Sequence, residues 1–357
     1  MPKEPPPKVS VLMPVYQGDD YLVEAVESIL NQTFSDFEFL IICDDPTDET
    51  RKILDTYMQE DARVKVHYNQ KREGLVNSLN KGISLAQGEY IARMDADDIS
   101  LTDRIEKQVD YLDINRDISI LGTDVIFINR KGESFNDITV RAVPTDPKVI
   151  KWVLLFENCI RHPTVMFRMD MCNCTGIYSI DFDHCEDYEF WLRASQKVNI
   201  ANLPEKLLLL RKHRENISEL YEDAGKVNAI IAGQKIMSTI LNKIIKLCEV
   251  QTFWYPCKVT NERCVFDSAV ILCELYHVFS EMPDLNHTES DQIRRDAAER
   301  MSILAIIAFI TCDNALVLPL KIWRLAYNLD QTSAIKSLFS PLCILLAKFY
   351  KIFKVGI

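Results

Sequence analysis

Through the first hundred residues the apolar positions switch between two rhythms. Val9–Val15, Glu38–Cys43, Val64–Tyr68 and Tyr90–Met94 are short, nearly continuous apolar runs, as strands buried on both faces should be. Between them lie segments with helical spacing. Asp19–Asn31 sets Leu22, Ala25, Val26, Ile29 and Leu30 on one face, and about Asp48–Glu60 and Leu75–Ala86 read the same way, with Gly88 as a stop. Regular alternation of strand and helix predicts βαβ units and a mostly parallel sheet covered by helices, an α/β fold.

The middle section, about 119–215, is mixed. Ser119–Ile128 and Thr164–Arg168 read as strands, Lys148–Phe156 and Tyr188–Gln196 as helices, and a further helix is expected from Ser100 or Leu101. Beyond about residue 218 the patterns turn mainly helical. Glu281–Arg300 is a long polar stretch, read as a surface loop followed by a helix start. Met301–Cys312 is uncharged and mostly apolar but short for a bilayer span, so a core helix is expected there. Towards the C-terminus Leu338, Phe339, Leu342, Leu345, Leu346, Phe349, Ile352 and Phe353 recur at helical spacing, with Lys348, Lys351 and Lys354 among them. Two readings stay open: a basic amphipathic helix lying on an anionic membrane surface, or a helix packed on the body with solvated lysines.

Composition narrows the class. A chain of 357 residues, 48% apolar, has core enough for two domains or for one with a large extension. A net charge of −11 argues against a nucleic-acid partner. The charge is uneven: residues 321–357 carry Lys321, Arg324, Lys336, Lys348, Lys351 and Lys354 against Asp330 alone. The eleven cysteines are irregularly spaced, Cys172 and Cys174 are too close for an ordinary bridge or zinc pair, and Cys257 and Cys264 have no matching pair. They read as reduced, mostly buried cysteines of a cytoplasmic protein. The opening Met-Pro-Lys-Glu-Pro-Pro-Pro has no apolar core of a signal peptide, so the Asn216–Ser218 triplet carries no glycosylation meaning.

In open α/β sheets ligands bind at the carboxyl ends of the strands. Polar clusters fall at those ends here: Pro14-Val15-Tyr16, Asp44-Asp45, Asn69 with Lys71 and Arg72 behind it, and Asp95-Ala96-Asp97-Asp98. Asp95 and Asp97, two apart in what should be extended chain, would point the same way. Two hard oxygen ligands suit Mg²⁺ or Mn²⁺, with diphosphate oxygens completing the shell. The other reading is an acidic helix start, since acids favour helix N-termini.

The stretch V-S-V-L-M-P-V-Y, the Asp-Asp after the second strand, and G-L-V-N-S-L-N-K-G-I-S-L-A-Q-G-E-Y-I-A-R-M-D-A-D-D together resemble inverting glycosyltransferase family 2, with its GT-A fold. The resemblance continues through Arg161-His162-Pro163-Thr164, the run Glu186–Arg193, Arg211-x-His213 and Ile217-Ser218, covering about residues 8–218. It implies a catalytic domain over 9–217, with a nucleotide half about 9–98 and an acceptor half about 99–217; the Pro-rich arm over 1–8 and the mainly helical region over 218–357 are read from the residues alone, and the region beyond about 220 carries no such resemblance. It further implies that Pro14 and Tyr16 flank the nucleotide base, that Asp45 and Asp44 hydrogen-bond base or ribose, and that Asn69 and Lys71 lie near the nucleotide. Arg93 and Asp95 would face ribose and phosphates, Asp97 would be the principal metal ligand, and Arg211 and His213 would sit by the diphosphate on a closing segment. Asp187 would be the general base on the acceptor hydroxyl, because inversion needs one carboxylate opposite the leaving group and no covalent nucleophile. Asp44-Asp45-Pro46-Thr47-Asp48 is one residue shorter than the loop common in the family, which touches the base contacts and hence the nucleotide's identity.

Other readings remain at this stage. His162 contacts acceptor or packs; Phe190 and Trp191 are expected in the core, with acceptor stacking the alternative. A sugar nucleotidyltransferase would place a Gly-rich basic loop after the first strand, whereas Val15–Asp20 is acidic with one Gly. A non-catalytic binding module would be expected to lack some of Asp95, Asp97 and Asp187. The partners implied are a nucleotide-sugar donor, UDP-linked by preference, and a saccharide or lipid-linked saccharide acceptor at the inner face of the cytoplasmic membrane.

Overall fold

The structure is a computed structural model that describes residues 5–16, 20–138, 140–213, 221–254, 261–311 and 317–338. The expectations for Gln17–Asp19, Ile217-Ser218, Cys257, Cys312 and the tail beyond Leu338 lie outside these residues.

The first half folds as the apolar rhythm requires, except that the Val64–Tyr68 run, expected to be buried on both faces, is an edge strand buried only at Val64 because Lys65 and His67 interrupt it. Strands β1 (Val9–Tyr16), β2 (Phe37–Asp44), β3 (Val64–Tyr68) and β4 (Tyr90–Arg93) are parallel and lie in the order β3-β2-β1-β4. Helices α1 (Leu22–Leu30), α2 (Asp48–Glu60) and α3 (Leu75–Leu85) make the crossovers. Thr47 caps α2, its hydroxyl accepting from Thr50 N at 3.0 Å. Gly82 lets α3 lie on β1: a Cβ there would meet Leu12 Cδ1 at 2.1 Å. Val9, Val11, Met13, Phe39, Ile41 and Ala92 form the centre of the core with Leu22, Val26 and Ile29 of α1.

The sheet then turns mixed. After β5 (Ile99–Ser100) and α4 (Arg104–Ile114) come β6 (Ile118–Ile128), β7 (Ser134–Phe135), α5 (Pro147–Val153), β8 (Met166–Arg168), the short α6 (Cys172–Thr175), α7 (Glu186–Ala194) and β9 (Asn199–Arg211). The sheet continues β4-β8-β6-β9-β5, with β8 antiparallel to both β4 and β6, β9 parallel to β6, and β7 pairing with β6. This is the mostly parallel α/β architecture expected, with three adjustments. The helix expected at Ser100 begins at Arg104, because Ile99 and Ser100 pair antiparallel with Leu209 and Leu208. The helix expected from Tyr188 begins at Glu186. β9 had no counterpart in the pattern of the sequence.

Chain packing divides the described residues into two units, 1–154 with 158–228, and 155–157 with 229–357. Helix α8 (Glu222–Ile240) crosses that boundary, and α9 (Leu247–Trp254), α10 (Glu262–Ser280), α11 (His287–Thr311), α12 (Val317–Leu329) and α13 (Gln331–Leu338) follow. Within the second unit α11 packs on α10, α12 and α13. The polar stretch expected as a loop followed by a helix start is a loop over residues 281–286 and then the first half of α11, and Met301, Leu304, Ile307 and Ala308 of the apolar run are buried in its second half. Among the described residues no helix is long and apolar enough to cross a membrane. The described cysteines are free thiols; Cys43, Cys159 and Cys185 are buried, but Cys174 is exposed and Cys172, Cys248, Cys264 and Cys273 are partly so, which corrects the expectation of mostly buried cysteines.

Candidate functional site

β4 is buried throughout and ends at Arg93; Met94 N still bonds Leu12 O of β1 at 3.0 Å. The chain then turns through Asp95–Asp98 rather than running extended, and carboxylate oxygens of Asp95, Asp97 and Asp98 come within 4.8 Å of one another. The turn thus adds Asp98, which alternation along a strand would have sent to the other face.

This acidic turn is held from several sides. The buried Arg93 guanidinium forms an ion pair with Asp95. Burial works against the Arg93 charge, but Asp95, helped by Tyr178 and Asp98, raises its pKa overall. Arg104, fully buried, donates to Arg93 O at 3.2 Å and Pro163 O at 2.7 Å. From the end of β9, Arg211 N donates to Asp98 Oδ1 at 2.8 Å and Arg211 Nε to Asp97 O at 2.8 Å. The rest of that guanidinium reaches Glu24 at 2.7 Å and the carbonyls of Asn129 and Arg130, under the Tyr21 ring. Expected beside the diphosphate, Arg211 is 2% exposed and engaged with the protein. His213 bonds Asp97 Oδ2 through Nε2 at 3.0 Å. Burial, then repulsion from Asp95, raises the Asp97 pKa against the pull of His213; burial with repulsion from Asp95 and Asp97 lifts Asp98 well above the carboxylate range. Such crowding of hard oxygen donors is relieved by a divalent cation, so the residues fit Mg²⁺ or Mn²⁺.

The ends of β1, β2 and β3 form a second cluster. Register sets Tyr16 beside Asp44, and Asn69 N bonds Cys43 O at 2.9 Å. Asp44 is buried and accepts from Glu73 N at 2.9 Å, Gly74 N at 2.8 Å and Asn69 Nδ2 at 3.0 Å. Asn69 in turn accepts from Lys81 Nζ at 2.7 Å. Asp44 and Asn69 therefore build the loop that leads into α3, where Gly74 has φ +85. The groups left towards solvent are Tyr16, Asp45 (φ +52), Lys71 and Arg72, with Pro14 partly buried. Arg72 lies over the Tyr16 ring at 4.4 Å. Lys81 was not singled out in the sequence, and Arg72 only as a neighbour of Lys71. Lys81 lies at i+12 from Asn69, a partnership that no local pattern signals.

The third cluster opens α7. Asp187 Oδ1 accepts from Tyr188 N at 2.6 Å, and Oδ2 accepts from Asn158 Nδ2 at 2.8 Å. Burial raises the Asp187 pKa, opposed by those two bonds and by the field of Arg93. Glu186 beside it is buried, and burial with repulsion from Asp187 pushes its carboxyl up to about 7. Arg93 thus faces the acidic turn and, through its field, the α7 pair. His162 is buried, bonds the Tyr178 hydroxyl at 2.9 Å and packs edge-on against Trp191; burial, then Arg93, drives its pKa well below the usual value, so it stays neutral. Phe190 and Trp191 are core residues, fully buried.

Comparison with known proteins bears on the family and the fold. The sequence profile described as "Glycosyl transferase family 2" matches residues 10–173. An uncharacterized glycosyltransferase of Haemophilus influenzae is 32% identical over 278 residues, covering 76% of this chain and 81% of its own. The O-antigen biosynthesis glycosyltransferase WbnJ of Escherichia coli is 37% identical over 212 residues, 58% of this chain and 81% of that one. Among solved structures, S. aureus TarS 1–349 in complex with UDP-GlcNAc superposes with a TM-score of 0.57 at 16% identity, over 90% of each chain, which speaks for a shared GT-A fold.

Proposed function

The chain belongs to glycosyltransferase family 2 and is a glycosyltransferase, and from that premise we propose that it moves a sugar, with inversion, from a UDP-sugar to a hydroxyl of a saccharide acceptor in cell-surface polysaccharide synthesis. What supports this reading most is the pairing of an acidic turn at the end of β4 with a carboxylate pair on α7, Glu186 buried and Asp187 partly so, both in the field of Arg93. The UDP preference draws on TarS, solved with UDP-GlcNAc, and the polysaccharide role on WbnJ, named for O-antigen biosynthesis.

In this reading Tyr16, Arg72 and Asp45 receive the nucleotide base and ribose, with Pro14 beneath them. Asp44, Asn69 and Lys81 shape the loop, and Lys71 reaches the donor from its rim. Asp95, Asp97 and Asp98 would hold Mg²⁺ or Mn²⁺, which supplies charge to stabilise the departing nucleoside diphosphate. His213 orients Asp97, and Arg211 fixes the turn. Asp187, ionised and oriented by Asn158 and Tyr188 N, takes the proton from the attacking hydroxyl as the new glycosidic bond forms. Glu186 lies beside it, and burial with repulsion from Asp187 raises its carboxyl to about 7, so the two carboxyls titrate as a pair. The protein works in the cytoplasm, and the basic tail holds it at the inner membrane face, where a lipid-linked acceptor would be presented.

The test is UDP release from UDP-glucose, UDP-galactose and UDP-N-acetylglucosamine with Mn²⁺ and saccharide acceptors. Asp187→Asn should lower acceptor-dependent release by about 10²–10⁴-fold while leaving UDP binding nearly intact. Full transfer by that variant would remove the base assignment.

A further inference from the structure

We propose that His184 and Tyr221 form an acceptor subsite, an aromatic platform for a pyranose ring beside the Glu186–Asp187 pair. The inference rests on the transfer reading above and names the part of the acceptor that reading leaves open. The buried Phe190 and Trp191 have no face to offer a ligand. The His184 and Tyr221 rings, by contrast, stack face to face with centroids 3.9 Å apart and planes within 5°. Tyr221 is 46% exposed, so the pair is open to solvent on the side that His184 does not cover.

The platform is held firmly. His184 has φ +62, a left-handed conformation uncommon for a residue with a β-carbon though more accessible to His than to most. Around it lie the first turns of α8. Gly225 lies so close that a Cβ on it would come within 2.6 Å of His184 O, and Asn228 Nδ2 donates to Asp183 O at 2.8 Å. From the other side Cys185 N bonds Phe182 O at 3.0 Å. These contacts fix the direction of one imidazole next to α7. His184 and Asp187 are three positions apart, a reach of at most about 11 Å of chain.

The chemistry of the surface suits a sugar. The axial C–H groups of a pyranose carry partial positive charge and settle on the negative face of an aromatic ring. Its hydroxyls need acceptors at the rim, and the same loop carries the exposed carboxylates of Asp181 and Asp183. Ile180, 67% exposed, adds an apolar edge. A ring seated here would be within about 11 Å of chain of the Asp187 backbone, close enough for an acceptor that spans both to offer a hydroxyl to the base.

Saturation-transfer NMR on the full chain with UDP and Mn²⁺ bound tests this, using the methyl pyranosides of glucose, galactose and N-acetylglucosamine as probes. At least one should receive saturation, strongest on one C–H face. Tyr221→Ala should weaken its binding at least about 10-fold, Tyr221→Phe should keep it, and UDP affinity should be equal in all three proteins. Equal glycoside binding by Tyr221→Ala, or none by the wild-type protein while UDP binds, would overturn the subsite. Absence of UDP binding in the folded wild-type protein would instead bring down the transfer reading, and the subsite with it.

Discussion

A carboxyl group beside another carboxylate, away from water, keeps its proton to higher pH, and Glu186 is in that position. Its folded-state pKa of about 7 lies above the ordinary 4.5. The resulting stability is fully present below pH 4.5 and is lost as pH rises through about 7, because the unfolded chain gives up that proton more readily. Glu186→Gln, neutral throughout, should therefore gain on the wild-type protein between pH 5 and pH 8, by on the order of 2 kcal/mol in urea unfolding. No differential gain would mean that Glu186 titrates normally. The same pair governs the rate: transfer should rise with pH through an apparent pKa above that of an ordinary aspartate, since burial raises Asp187 as well. A profile flat down to pH 4 would contradict this. At this scale local spacing was enough to bring Asp95 and Asp97 into one acidic cluster and to set Asp187 beside Glu186 at a helix start. Asn158, which orients Asp187 from 29 residues away, and Lys81, which holds Asn69, were not legible, because only the fold brings them there.

Elements whose apolar rhythm is unbroken were read from the chain nearly to their ends: β1, β2 and α2 lie where spacing places them. β9 escaped because Pro204, Glu205 and Lys206 interrupt its apolar run, and the ladder to β6 shifts register there. The missing strand matters, since it delivers Arg211 and His213 to the acidic turn. Arg211→Met should leave the carboxylates in place but slacken the turn, lowering Mn²⁺ affinity about 10–100-fold by calorimetry. Unchanged affinity would show that the turn holds itself. The approach to β4 is equally tight. A Cβ on Gly88 would lie 2.5 Å from Ser10 N and 2.9 Å from Tyr90 O, both backbone atoms. Gly88→Ala should cost about 1–3 kcal/mol of stability by denaturant unfolding, and a neutral result would mean that the β1–β4 edge gives way easily.

For the molecule as a whole, the α/β class was legible from alternation alone, while residues beyond 218 showed their helices but no chemistry. The described helices α10, α11, α12 and α13 pack on one another within the second unit, and burial of that kind leaves no motif to read. The charge imbalance of the tail is the feature there that bears on location. A chain ending before Lys336 should lose association with vesicles containing anionic lipid, and sedimentation equal to that of the full chain would assign the tail to packing. The central claim, that the acidic turn binds a nucleoside diphosphate together with a divalent cation, is tested most directly by calorimetry with UDP, GDP and dTDP, each with and without Mn²⁺. UDP should bind only when Mn²⁺ is present, and Asp97→Ala should abolish the binding. Equal UDP binding without metal, or none at all to the folded protein, would contradict it.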